Sequence, residues 1–408
     1  MTLTFRVNPK PESVGPPVRT PSPSDRSRVA VAACPSYSPG DVQKALQEIL
    51  QAIGGLSSVI KPGQTVLVKP NLFGDHPPDH AVTTHPELVR QVVLACFDAG
   101  AVRVWVGDSP VAITPDERLW TGTGMTAALA GTAADLKSWQ VKQSPVKCGD
   151  DVLTLPEWFA KVDVVVSLPK LKTHSLTTLT CGLKNVYGMV SGPAKSRFHV
   201  KYTSPLTMSG FLVNVFSLIK PQLTIADAVV AMEGNGPAHG QPLPVGVLLG
   251  SRDAVALDSV ACTALSIQPS SVPMIQMAAA ASLGRMNRDE IEAVGSGVSR
   301  LQSVSLKPSM ARYLSRIPEP LFKLAPRLFR MRPRIKNRFC SKCGACAGIC
   351  PKKAIQEDGR SGFPAINRSA CFDCFCCVES CPNGAIAVQL YLAGFICLSR
   401  QRRGKTQK

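Results

Sequence analysis

The sequence predicts an α/β domain built on a mostly parallel sheet, followed by a small cysteine-rich α+β module. Three observations predict it. Short β-branched runs alternate with stretches of helical periodicity along the first three hundred residues. Polar and charged residues gather directly after those runs, and eight of the fifteen cysteines fall into one repeated spacing near the end of the chain.

Residues 8 to 27 are rich in Pro and Ser with little to bury, so 1–27 reads as a disordered leader. The α/β domain spans 28–300. Its first strand is RVAVAAC (28–34), its second TVLVKPN (65–71). HPELVRQVVLACFDAGA follows with apolar positions at helical spacing and Gly100 as a C-cap signal. RVWVGDS (103–109), VDVVVSL (162–168), the shorter LTIADAV (223–229) and PVGVLLGS (244–251) read as further buried strands of the parallel sheet. A basic linker covers 301–336, the cysteine module 337–390 and a basic tail 391–408.

A chain of 408 residues is long enough for two or three domains with at least one large core. Lys and Arg outnumber Asp and Glu 46 to 28, a net +18, which favours acidic partners. The charge is concentrated: Ala311 to Phe339 holds nine basic residues against Glu319, and Arg400 to Lys408 adds five. Apolar residues among these cations (LFKLAPRLF, VQLYLAGFICL) resemble segments that seek an anionic membrane surface. No run approaches 18 apolar residues and the start lacks a secretory core, so the expected location is cytoplasmic, with peripheral membrane association as an addition. Nucleic acid ranks last as a partner, since five Tyr and four Trp supply little stacking surface. G-x-S-x-G, Walker and H-E-x-x-H motifs are missing, which leaves hydrolase and NTPase readings without support.

CSKCGACAGICP places Cys340, Cys343, Cys346 and Cys350 before Pro351, and CFDCFCCVESCP repeats the spacing at Cys371, Cys374, Cys377 and Cys381 before Pro382. Thiolates are soft donors suited to iron-sulfur clusters, while structural zinc sites are the alternative for sets of four cysteines. From Asn337 to Val388 the stretch resembles bacterial two-cluster ferredoxins. That resemblance implies a ferredoxin-like α+β fold with two 4Fe-4S clusters. One would be held by Cys340, Cys343, Cys346 and Cys381, the other by Cys371, Cys374, Cys377 and Cys350. Cys376 is an extra thiol beside a ligand. The segments KKAIQ and NGAIAV would form the small sheet of the module.

In open α/β sheets ligands bind at the carboxyl ends of the strands. Lys69 and Asn71 follow the second strand and Asp108 the third; Lys170, Lys172 and His174 follow the fourth, with Lys184 and Asn185 soon after. These lysines and asparagines are candidate contacts for a small anionic substrate, and each lysine alone would simply reach solvent. His174, His199 and Asp108 are candidate proton-handling groups, since imidazole titrates near neutrality. Asp227, Glu233 and Asp258 face the lysines from other strand ends. SGPAKSRFH, with Lys195, Arg197 and His199, reads as a mobile basic loop, and TGTGMT as a weak match to a phosphate-binding turn. His76 and His80 stand four apart, but the prolines between them rule out a regular helix aiming both at one ion, and a polar loop is expected.

VLVKPNL, DAGAVRVWVGDSP, LPKLKTH with GLKNVYG, DAVVAMEGNGP and SRDAVALD, in this order, resemble the family catalogued as domain of unknown function 362, over about Arg28 to Gly297. The resemblance implies an iron-sulfur protein and no particular substrate. Two functions stay open: an oxidoreductase passing electrons between clusters and an anion in the α/β domain, and a non-enzymatic carrier docking on an acidic redox protein.

Overall fold

The computed structural model describes residues 26–392 except 111–113, 175, 203, 310–328 and 360. The leader up to residue 25, most of the basic linker and the tail from residue 393 lie outside the described residues. The described chain forms two compact units. One comprises the residues up to Gly192 together with Ser204–Ser309; the other comprises Pro193–Thr203 and the residues beyond Met310.

In the first unit β1 (Ser27–Ala33) leads to α1 (Pro39–Ala52), β2 (Thr65–Pro70), α2 (Pro86–Asp98) and β3 (Arg103–Val106). Next come α3 (Asp116–Gly122), α4 (Met125–Leu129), β4 (Asp135–Leu136) and a hairpin of β5 (Gln143–Cys148) and β6 (Asp151–Pro156). β7 (Val164–Leu168), β8 (Lys170–His174), β9 (Thr178–Thr180) and α5 (Gly182–Asn185) cover the central segment. α6 (Gly192–Lys201) belongs to the second unit; α7 (Pro205–Ile219), β10 (Leu223–Glu233), β11 (Gln241–Ser251), α8 (Ala254–Ala261), α9 (Pro273–Ala280), β12 (Ile291–Val294) and α10 (Val298–Ser303) complete the first.

The large sheet runs β12-β1-β11-β10-β7-β2-β3-β4, with β8 and β9 branching from β10. Neighbours from β10 through β4 are parallel, as are β1 and β12. The sheet is mostly parallel as expected, and β11 is the strand that departs: it lies antiparallel to both β1 and β10. The reason is local, because the short stretch between Glu233 and Gln241 closes a hairpin, and hairpin strands are antiparallel. Val66, Val68, Val104, Val106, Val164 and Val166 on the strands pack against Val42, Leu46 and Ile49 of α1 and Leu88 and Val92 of α2. Ser38 caps α1 by accepting from the Asp41 N–H, and Pro39 starts the helix where its missing N–H costs nothing. The strand order reverses between β2 and β7, since β3 lies on one side of β2 and the later β7 on the other. That reversal opens the crevice where such sheets take ligands.

The second unit contains β13 (Phe329–Ile335), α11 (Ala345–Ile349), β14 (Ile355–Glu357), β15 (Pro364–Ile366), α12 (Cys376–Glu379) and β16 (Ile386–Leu392). The end of the expected linker is therefore the strand β13, paired antiparallel with β16 from Ile335 opposite Ile386. KKAIQ and NGAIAV do form strands, but in separate two-stranded sheets: β14 pairs with β15, and β16 with β13. SGPAKSRFH, expected as a loop, is helical within α6. Gly122 and Gly124 of TGTGMT form the junction between α3 and α4, with Gly124 at φ 74°, and follow no strand directly.

Candidate functional site

Each cysteine motif wraps its loop around a hollow. Cys340, Cys343, Cys346 and Cys381 line one; Cys350, Cys371, Cys374 and Cys377 line another. The fourth cysteine of each motif thus faces the other motif's hollow. The backbone repeats as well: Lys342, Gly344 and Lys353 have φ of 58°, 75° and 47°, and their counterparts Asp373, Phe375 and Gly384 have 60°, 63° and 58°. Four of these six carry a side chain in the left-handed region, which costs free energy and recurs at ligand-clamping turns. The same turns aim donors at sulfur: Ala354 N–H donates to Cys350 Sγ and Ala385 N–H to Cys381 Sγ, both at 3.2 Å. Such bonds stabilise thiolates and tune cluster potentials. Zinc would draw four sulfurs to a point about 2.3 Å away, whereas among the described residues no group of three or more His, Cys, Asp or Glu is set to hold a single metal ion. An all-thiolate set spread around a hollow fits a 4Fe-4S cluster. Cys376 is buried and hydrogen-bonded to Cys374.

At the carboxyl edge of the large sheet, Lys69 is fully buried and its Nζ lies 2.7 Å from Asp108 Oδ1. The ammonium also donates to Pro70 O at 2.9 Å, and Asp108 accepts from the N–H groups of Leu72 (2.6 Å) and Ser109 (3.0 Å). Asn185 spans the crevice, donating from Nδ2 to Lys69 O and to Ser167 Oγ of β7. Gly188 packs over the pair so closely that an added Cβ would overlap Asp108 Oδ1 and crowd Lys69 Nζ. Thr84 stitches β2 to β7 by donating to Leu168 O while accepting from Asn71 N–H. The Asn71 side-chain Oδ1 is buried without a hydrogen-bond partner.

Lys170 makes the second pair, with Nζ 2.9 Å from Asp227 Oδ2 and both side chains at most 1% exposed. Tyr37 joins them: Lys170 donates to its hydroxyl and the hydroxyl donates to Asp227 Oδ1, each at 2.7 Å. His85 stacks on the Tyr37 ring at 3.7 Å and 7°, and its N–H donates to Asp227 Oδ2. Burial lowers the pKa of both Lys69 and Lys170, opposed by the neighbouring carboxylates. Burial, then the charge of Asp227, raises the Tyr37 pKa and pushes the Cys34 thiol up to about 12. His85 is lowered to about 4, chiefly by burial.

Lys172 is buried and donates to Val82 O at 2.7 Å. It is on β8, a further strand directly after β7, and pairs with Met232 of β10. His174 ends that strand; its Nδ1 accepts from the N–H groups of Leu176 and Thr177, so the ring ties down its own turn. Lys184 is half-buried, 5.8 Å from the Tyr187 ring. His199 belongs to the other unit. Among the remaining acids, Asp258 accepts from Gly182 and Leu183 N–H groups and burial raises it to about 7, while Glu233 pairs with Lys307. Tyr37, His85, Thr84 and Gly188 were not singled out from the sequence; the first three lie just before the starts of α1 and α2.

The family model described as Domain of unknown function (DUF362) matches residues 66–263, and that of a 4Fe-4S dicluster domain matches 332–382. A thylakoid-associated protein of Synechocystis sp. is 35% identical over 260 residues, covering 63% of this chain and 79% of that protein. Pyruvate synthase subunit PorD of Methanocaldococcus jannaschii is 42% identical over 55 residues, 14% of this chain and 63% of the subunit. Among solved structures, the lactate racemase apoprotein from Thermoanaerobacterium thermosaccharolyticum superposes with a TM-score of 0.37 at 10% identity, over 57% of this chain and 56% of that one. The chain spans less than two thirds of the length of these last two proteins.

Proposed function

Because the chain belongs to the DUF362 family and carries a 4Fe-4S ferredoxin-like domain, we propose that it transfers electrons between two 4Fe-4S clusters and a small anion at the carboxyl edge of its α/β domain. Cys340, Cys343, Cys346 and Cys381 hold one cluster, and Cys371, Cys374, Cys377 and Cys350 the other. When bound, the clusters supply one-electron transfer. Lys172, aided by Asn71 and Lys184, attracts the anion. Lys69 and Lys170 act through their pairs with Asp108 and Asp227, as fixed dipoles below it. Tyr37 links Lys170 to Asp227 and fixes both, while His174 or His199 exchanges the protons that accompany reduction.

The observation that carries this reading is the presence of two buried, hydrogen-bonded ion pairs at the carboxyl edge of the sheet. Such pairs add little stability compared with apolar residues of the same volume, so their presence at a ligand edge argues for function. The partner is an acidic redox protein, matched to exposed Arg334, Lys336, Arg338, Lys342, Lys352 and Lys353 around the cysteine loops. A relative named as thylakoid-associated supports peripheral attachment to an anionic membrane through the basic segments.

The test is anaerobic reconstitution, expected to yield about eight iron and eight sulfide per chain by the two-cubane pattern, then a thermal-shift screen with phosphate, sulfate, nucleotides and di- and tricarboxylates. At least one anion should stabilise the wild type by on the order of 2.7 kcal/mol at a hundredfold excess over its Kd, and Lys172→Met should lose the effect. A flat screen would overturn substrate binding and leave the electron carrier. Zinc without sulfide would overturn both.

A further inference from the structure

The two cysteine loops repeat in backbone and differ in cover. Counted from the first cysteine of each motif, Ser341 answers to Phe372, Gly344 to Phe375 and Ala345 to Cys376. All six line the hollows of their own motifs, so the first hollow is walled by small residues where the second is walled by two phenyl rings and a thiol. Exposure follows the same division: Ser341, Lys342, Cys343 and Gly344 are exposed, whereas none of residues 371–377 is. Gly344 and Phe375 share the left-handed turn, at φ 75° and 63°, and an added Cβ at Gly344 would meet nothing within 4 Å. The open side of the first loop is thus a matter of side-chain choice, on a backbone that holds phenylalanine in its other copy.

Immediately before the first cysteine stands Phe339, 47% exposed, with the Arg338 guanidinium 4.4 Å from its ring centre. Lys336, Arg338 and Lys342 are exposed around it, and residues 329–356 contain no Asp or Glu. An exposed ring set among cations has the composition of a docking face for an acidic partner, since aromatic residues and Arg are enriched where proteins meet and opposite charge steers the encounter. We infer that an acidic redox protein docks on this face, over Phe339, Ser341, Cys343 and Gly344, and exchanges electrons with the cluster held by Cys340, Cys343, Cys346 and Cys381. The inference rests on the reading that the module serves an acidic redox protein, and it names the face and the cluster used. Lys352 borders the second hollow, so charge sets the sign of the partner and cover selects the cluster. One electron passes per encounter, the first cluster being oxidised as the partner's acceptor is reduced, or the reverse. The second cluster, screened by Phe372 and Phe375, exchanges electrons with the first rather than with the partner.

The experiment uses the reconstituted full chain and two probes, with iron content and cluster absorbance showing that each variant is loaded. Hexacyanochromate(III), a paramagnetic anion that exchanges no electrons with the protein, should broaden the NMR signals of the Cys340, Cys343 and Cys346 methylene protons at concentrations that leave those of Cys371, Cys374 and Cys377 sharp. An acidic flavodoxin, mixed with the reduced protein after the reductant is removed, should be reduced at a rate that falls with salt. Lys336→Glu combined with Arg338→Glu should slow that reduction about tenfold at low salt. Gly344→Phe, which gives the first loop the cover of the second, should slow it severalfold while the salt dependence stays. Arg368→Glu, an exposed charge reversal just before the second motif, should leave the rate close to that of the wild type. Equal broadening of both cysteine sets, or salt-dependent transfer that neither first-loop variant slows, refutes the docking face and leaves the acidic partner standing. Transfer indifferent to salt and to every charge reversal refutes both.

Discussion

Asp227→Asn is the sharpest perturbation of the large unit, because it keeps the shape of the side chain and removes its charge. In the wild type Oδ2 accepts from Lys170 Nζ at 2.9 Å and from His85 N–H at 2.9 Å, while Oδ1 accepts from the Tyr37 hydroxyl at 2.7 Å. The amide retains one oxygen for these donors and turns an NH2 group towards others. Lys170, at most 1% exposed, is then a buried ammonium with no counter-charge. Breaking a buried pair in this way costs about 3–5 kcal/mol, against a total stability of about 5–15 kcal/mol for a domain. Lys170→Met should cost a similar amount, and the double variant far less than the two together, a coupling on the order of 3 kcal/mol. Urea unfolding followed by tryptophan fluorescence is a suitable assay, since Trp105, Trp120, Trp139 and Trp158 all lie in this unit and the cysteine module has none. Single variants within 1 kcal/mol of the wild type would refute the reasoning and return Lys170 to direct contact with the anion.

Gly188→Ala places a methyl group onto Asp108 Oδ1 and should destabilise the same transition by about 1–3 kcal/mol, the usual cost of overpacking; a change under 0.5 kcal/mol would show that the pair has room to move. His76 and His85 are both held at about 4, mainly by burial. Above the unfolded value of 6.5 they are neutral in both states; below it the unfolded chain takes up protons first, so stability falls as pH drops from 6.5 to about 4 and then levels, by on the order of 2 kcal/mol for each. Denaturation curves of His85→Gln against pH should lose one such increment. Cys350→Ser should damage the cluster of the second motif more than that of its own, read by EPR of the reduced protein; selective loss at the first motif would contradict the crossed lining of the two hollows. Electron transfer to an acidic redox protein should slow steeply between low and physiological salt, and a rate indifferent to salt would remove the basic surface from consideration.

The strands were legible because β-branched runs announce themselves; the crossed cysteine sets came from the resemblance to two-cluster ferredoxins, and Cys381 and Cys350 each line the hollow of the other motif. Direction was not legible for β11: an apolar run has no polarity of its own, and the hairpin that reverses it hides in a loop of Gly, Asn, Pro and His that also reads as a crossover entry. The lysines were found in the right place but with the wrong surroundings. Lys69 and Asp108 are 39 residues apart in sequence, and Lys170 and Asp227 57 apart; only the strand order, with β2 beside β3 and β10 beside β8, brings each ammonium to its carboxylate. Tyr37 and His85 were passed over because each sits at the start of a helix, where capping accounts for a polar residue, and His85 does cap α2 while its ring covers Tyr37. Lys69 and Lys170 look alike in the sequence, yet each is matched to a carboxylate from a different strand, so strand order rather than local spacing decides what a lysine at this edge meets.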